Sequence, residues 1–193
     1  MKKKNILEKS INDNIKLKLQ LLNLKSDIDK GIKIICESLK NKGKIIFCGN
    51  GGSAADAQHL VAELLIRLKP TKNRKSLPAI SLALDTSTLT ACGNDYNFDY
   101  IFSRPLESLG NKEDVLIAIS TSGNSKNIIN VLKVAKKKGI KSIGFLGNSG
   151  GKSKKLCNIS LVVPSKKTAR IQECHIFLGH HILEMVENKI FYK

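Results

Sequence analysis

The sequence predicts an α/β fold: a three-layer, doubly wound sheet of five parallel strands in the order 2-1-3-4-5, with a helical extension at the N-terminus. Three observations lead there. From Lys44 onward, short apolar runs alternate with helical segments, the pattern of strands joined by helical crossovers. Those runs are β-branched or apolar and turn polar only at their ends, as strands buried on both faces require. Two Gly/Ser-rich loops, 48–53 and 120–125, each follow a predicted strand and precede a predicted helix.

Taken in order, residues 4–24 place Ile6, Ile11, Ile15, Leu19 and Leu22 at helical spacing and predict a first helix. Ser26 opens a second, with Asp29 as its capping-box partner. Its apolar face is Ile28, Ile32, Ile35 and Leu39, and Gly43 stops it. Terminal amphipathic helices of this kind pack either on a partner subunit or on their own sheet. The predicted strands are 44–48, 79–83, 115–120, 141–146 and 159–163. Between them lie helices at 54–68, around 98–109 and at 127–138, the last ended by Gly139, and a helical turn near 152–156. After Pro164 a final helix runs over 168–189.

A chain of 193 residues suits one domain, over 1–193, with helices in 1–43 and the α/β core in 44–193. No apolar run approaches the length of a membrane-spanning helix, and no signal-peptide core follows the basic start, so a cytoplasmic location is expected. The five cysteines are scattered and odd in number, without a Cys-x-x-Cys pair. They read as buried apolar residues in a reducing compartment. A net charge of +17 raises a nucleic-acid partner. The lysines, however, are spread along most of the chain and aromatic residues are 5% of it, without Trp. Little is offered for base stacking, and no nucleic-acid partner and no membrane contact are expected.

The loop Cys48-Gly49-Asn50-Gly51-Gly52-Ser53 brings glycines that let a ligand approach the backbone. Ser53 with Asp56 reads as a second capping box, which sets a helix N-terminus and its free N–H groups directly behind the loop. It matches neither dinucleotide nor Walker fingerprints. The loop Ser120-Thr121-Ser122-Gly123-Asn124-Ser125 crowds four hydroxyls into six residues before another helix. Either loop alone would be an ordinary tight turn. Together, after strands 1 and 3 of a 2-1-3-4-5 sheet, they flank the switch-point crevice where ligands bind. A phosphorylated small molecule is the expected occupant.

Behind the first loop, His59 and Glu63 share one helix face. The final helix carries Gln172 and His180, with His175 and His181 close by. Spacing alone allows an acid/base pair, metal ligands or a solvated surface pair at His59/Glu63, and leaves open which histidine of the last helix matters.

The set formed by Cys-Gly-Asn-Gly-Gly-Ser, Asp56-Ala57-Gln58-His59 with Glu63, Gly93-Asn94-Asp95, Ser-Thr-Ser-Gly-Asn-Ser and Arg170-Ile171-Gln172-Glu173 with His180 resembles the phosphoheptose isomerase family over essentially the whole chain. That resemblance implies a single sugar isomerase (SIS) domain acting as a homotetramer with sites at subunit contacts. It implies conversion of sedoheptulose 7-phosphate to D-glycero-D-manno-heptose 7-phosphate through an enediol, the first step toward bacterial ADP- and GDP-heptose precursors. Residue by residue, it places zinc (Zn²⁺) ligands at His59, Glu63, Gln172 and His180, and the catalytic pair at Glu63 and His180. Substrate contacts fall on Asn50, Gly51, Gly52, Glu63, Asn94, Asp95, Ser120, Thr121, Ser122, Ser125 and Gln172. Ala169 departs from the acidic residue some members carry. The alternative is a non-catalytic relative that binds the replication initiator DnaA; that group tends to lack the acid at Glu63 and the histidine at His180, both of which this chain retains.

Overall fold

The structure, a computed structural model, describes residues 5–192. Helices α1 (Ile6–Gln20) and α2 (Lys25–Lys40) are joined by a 3₁₀ turn at Leu21–Leu24. The alternating unit follows: β1 (Ile45–Gly49), α3 (Gly52–Leu65), β2 (Ala79–Ser81), α4 (Thr86–Asp95), α5 (Ser103–Leu109) and β3 (Val115–Ser120). It continues with α6 (Lys126–Lys138), β4 (Lys141–Gly147), β5 (Ile159–Val163) and α7 (Thr168–Phe191). The strands form one parallel sheet, as the alternation predicts, and their order β2-β1-β3-β4-β5 is the expected one.

Successive strand residues face opposite layers. Phe47, Ile117, Ile119, Phe145 and Leu161 pack with α2, α3 and α7, while Ile46, Cys48, Leu116 and Ala118 pack with α5 and α6. Every residue of β1 and β3 is buried, which explains their unbroken apolar sequence. Each fully buried Ile, Leu or Phe contributes about 1.5–3 kcal/mol to this core. All five cysteines are free and four are buried, as small apolar residues would be.

Neither expected capping box forms. The 3₁₀ turn runs straight into α2 with Leu24 at the cap position, so Ser26 lies inside the first turn and Asp29 pairs with Lys25 at 2.8 Å. In α3 the chain turns at Gly51, whose φ of +56° is open chiefly to glycine, so the helix begins ahead of Ser53. Helix α4 was not anticipated, because its Thr- and Ser-rich sequence has low helical propensity. Asp85 caps it, accepting from the Ser87 N–H at 3.0 Å and from the Thr88 hydroxyl, and Cys92 anchors it in the core.

The apolar stripe of the first helix points outward rather than onto its own sheet. Leu17 and Leu21 face the core, whereas Ile11, Ile15, Leu19 and Leu22 are 50–71% exposed. No helix among the described residues is long and apolar enough to cross a membrane.

Candidate active site

Strands β1 and β3 are neighbours, with Gly49 in register with Ile119, so loops 48–53 and 120–125 leave the sheet side by side at its C-terminal edge. This is the switch point of the fold. The two loops are also joined directly. Asn50 and Asn127 exchange side-chain amide hydrogen bonds of 3.0 and 2.8 Å, and Asn127 is buried in the first turn of α6. Asn127 was not singled out from sequence; an amide two residues past the hydroxyl run was the available signal.

The second loop is held by its own hydroxyls. Ser120 Oγ accepts from the Gly123 N–H and Ser122 Oγ from the Asn124 N–H, each at 3.1 Å. Gly123, with φ of +64°, sits so close to the Gly150 backbone that a Cβ would collide with it. The Ser153 N–H donates to the Gly123 carbonyl and the Lys152 N–H to Asn124 Oδ1, which fastens the loop from the β4 side. Ser125 occupies the N-cap of α6 yet makes no side-chain cap bond. Within that first turn the Ile128 N–H is taken by Asn127 Oδ1 at 2.9 Å, which leaves the Ser125 hydroxyl clear of the helix end.

Behind the loops, α3 and α7 run in the same direction at close range. A Cβ on Gly52 would collide with Gln172 Nε2, and a Cβ on Gly179 would lie 2.6 Å from both Leu60 methyl carbons. This contact brings the two neighbouring residues, His59 and His180, together with their rings edge to face. Their Nε2 atoms are 2.8 Å apart, and Glu63 Oε1 is 3.3 Å from His59 Nε2. His59 is half exposed and Glu63 is 19% exposed.

The three donors lie within 4.8 Å of one another. Two converging imidazole nitrogens and a carboxylate are a donor set that fits Zn²⁺, with a fourth position left for substrate or a further ligand. Asp56 lies one turn before His59 on α3. Its Oδ2 is buried without a hydrogen-bond partner, and burial pushes its carboxyl above the ordinary range while His59 pulls it back.

The structure separates the histidines that spacing left open. His175 is fully buried, its Nε2 3.1 Å from the Leu146 carbonyl. His181 is exposed and stacks on Phe177. Only His180 joins the α3 pair. Gln172 places its carboxamide against Gly52 at the head of α3. Arg170 and Glu173, beside it, reach α1 through the Ser10 carbonyl and Asn14. Asn94 and Asp95, at the exposed end of α4, hydrogen-bond each other at 2.9 Å, and among the described residues no hydrogen bond ties them to either loop.

The SIS domain family matches residues 12–147. The chain is 54% identical to the phosphoheptose isomerase of Aliarcobacter butzleri, over 86% of this chain and 87% of that protein. The solved phosphoheptose isomerase of Francisella tularensis superposes with a TM-score of 0.91 at 35% identity, covering 97% of this chain and 100% of the other. That of Neisseria gonorrhoeae gives 0.87 at 39%, covering 94% and 97%.

Proposed function

Because this chain belongs to the SIS domain family and, within it, to the phosphoheptose isomerases, which are sugar-phosphate isomerases, we propose that it interconverts sedoheptulose 7-phosphate and D-glycero-D-manno-heptose 7-phosphate through an enediol. The observation that carries this reading is the His59–Glu63–His180 constellation at the crevice between β1 and β3.

Ketose–aldose exchange moves a hydrogen from C1 to C2. The Glu63 carboxylate takes the C1 proton of the ketose as the C2 carbonyl oxygen gains one, giving the enediol, and then returns the carbon-bound proton to C2. His180 moves the proton between the oxygens, off O1 and onto O2. One base that both removes and returns the proton needs a carboxylate held on one face of the substrate, and the partial burial of Glu63 supports this role. Zn²⁺ held by His59, Glu63 and His180, when bound, polarises the carbonyl and stabilises negative charge on the substrate oxygens. Gln172 contacts the substrate and would supply the fourth ligand.

Asn50, Gly51 and Gly52 with Ser120, Thr121, Ser122 and Ser125 hold the sugar phosphate, and Asn94 and Asp95 complete the substrate contacts. Anchoring the far end lets binding energy orient C1 and C2. The working form is a homotetramer in the cytoplasm that supplies the aldose for ADP- or GDP-heptose precursors. The outward apolar stripe on α1 and the open side of His59 support a site completed by assembly.

The test is turnover of sedoheptulose 7-phosphate by purified zinc-loaded protein, followed by the appearance of the aldose. Glu63→Gln and His180→Gln are expected to fold normally and to lose at least 100-fold in kcat, on the order of what a positioned acid or base contributes. Wild-type protein that holds zinc but leaves the ketose unchanged would overturn the reading.

A further inference from the structure

Glu63 lies in the last turn of α3, where backbone carbonyls have no partner within the helix and ends fray. The final helical bond is from the Ile66 N–H to the Ala62 carbonyl, which leaves the Glu63 and Leu64 carbonyls beyond it. Arg74, nine residues past Leu65, folds back onto this turn. Its Nη2 donates to the Glu63 carbonyl at 2.6 Å, and its Nη1 to the Leu64 carbonyl at 2.8 Å and the Lys75 carbonyl at 3.0 Å. Its Nε donates to Glu187 Oε1 of α7 at 2.8 Å.

The Arg74 side chain is 1% exposed and that of Glu187 is 2% exposed. A buried ion pair returns its desolvation cost only when further hydrogen bonds satisfy its remaining groups, and the two helix carbonyls do so here. The guanidinium also sets a positive charge at the negative end of the α3 dipole. Gly52 against Gln172, Leu60 against Gly179 and the Arg74 bridge to Glu187 thus tie α3 to α7 at its head, middle and end. Only the last tie grips the residue that carries the base.

We propose that Arg74, with Glu187 as its counter-charge, is a positioning residue of the active site: it holds the final turn of α3 so that the Glu63 carboxylate stays in register with His59 on its own helix and His180 on α7. This rests on the reading of Glu63 as both base and zinc ligand. A fork with donors in fixed directions is needed to hold two carbonyls and a carboxylate at once, which the single ammonium of lysine cannot reproduce.

The test uses three variants of the full chain. Arg74→Ala strands a buried carboxylate and serves only to gauge folding. Arg74→Met/Glu187→Met removes both charges together, and Arg74→Lys keeps the charge without the fork. For each, kcat, KM for the sugar phosphate, Tm and the Kd for Zn²⁺ titrated into metal-free protein are measured beside wild type and Glu63→Gln. The double variant and Arg74→Lys are expected to lose tenfold or more in kcat, with KM within threefold because the phosphate loops are untouched. Their Zn²⁺ Kd is expected to weaken at least tenfold.

A purely structural bridge would lower Tm and leave kcat and the Zn²⁺ Kd within threefold of wild type, and that result overturns the proposal. If the double variant does not fold, Arg74→Lys decides by the same criteria. Should wild type itself show no turnover, the isomerase reading fails separately, and the Zn²⁺ Kd still decides the role of Arg74.

Discussion

The Leu60 side chain lies in the space a Cβ on Gly179 would occupy, 2.6 Å from both of its methyl carbons, and this contact sets how closely α3 approaches α7. The residues flanking it in sequence are His59 and His180, whose Nε2 atoms meet at 2.8 Å. The spacing of α3 and α7 therefore depends on one missing methyl group.

Gly179→Ala is expected to uncouple stability from activity. Alanine gains about 1 kcal/mol of helix propensity over glycine, while overpacking the Leu60 contact costs roughly 1–3 kcal/mol. The net loss is small, a Tm shift of a few degrees at about 2–4 °C per kcal/mol for a chain of this size. Separating the donors by even a fraction of an ångström is expected to lower kcat at least tenfold, since misplacement by about 1 Å can cost 100-fold. Parallel thermal melts and steady-state kinetics check it; a variant with wild-type kcat would show that this crossing does not set the site.

Metal analysis offers a second check. Native protein is expected to hold one zinc per chain, and chelation to abolish turnover without unfolding the sheet, because the donors sit on helices whose cores are built independently of them. Loss of His59, Glu63 or His180 is expected to empty the site. Gln172→Ala is expected to retain zinc with weaker affinity and to raise KM, because its carboxamide lies at Gly52 among the loop contacts. A Gln172→Ala protein with unchanged zinc Kd and unchanged KM would remove that residue from both roles.

Assembly should be sensitive to the outer face of α1. Ile11, Ile15, Leu19 and Leu22 follow one another at intervals of four, four and three residues and form one exposed apolar stripe. Wild-type protein is expected to sediment as a tetramer, and Ile11→Asp/Ile15→Asp as smaller species with reduced activity. A wild-type sample that sediments as single 21.2 kDa chains would refute the assembly.

The centre of the sheet was legible because β1 and β3 are buried on both faces, so Ile45 to Gly49 and Val115 to Ile119 carry no polar interruption and could be read without tertiary information. The two loops were legible because glycine and serine run together after those strands. Helix α4 was not, since its stability comes from Asp85 and from Cys92 in the core rather than from propensity. What covers the outward face of α1 was not legible, because an apolar stripe says that a face is covered, not by what. The Arg74 bridge was invisible for a similar reason: one of two arginines in a Lys-rich loop gives no sign that it folds back onto a helix end.

His175 provides a pH test that leaves the catalytic groups aside. Its ring is fully buried against Phe145, Nε2 meets the Leu146 carbonyl at 3.1 Å, and Nδ1 has no partner. Burial pushes its pKa down to about 4, with the Leu146 contact opposing. The folded value lies below the unfolded value of about 6.5, so a proton binds the unfolded chain more readily. The stability this neutral ring supports is complete above about pH 6.5 and is lost as pH falls toward 4. Over that window the loss is on the order of 3 kcal/mol. The carboxylates held below their ordinary range, Asp13, Asp29, Asp85 and Glu184, act at lower pH, as each loses its pairing only on protonation. Asp56, raised by burial, acts in the opposite sense. His175→Gln keeps an N–H for the Leu146 carbonyl but cannot titrate. Tm of metal-free protein measured from pH 7 to pH 4.5 should fall by several degrees more in wild type than in His175→Gln. Parallel curves would place the acid sensitivity elsewhere in the fold.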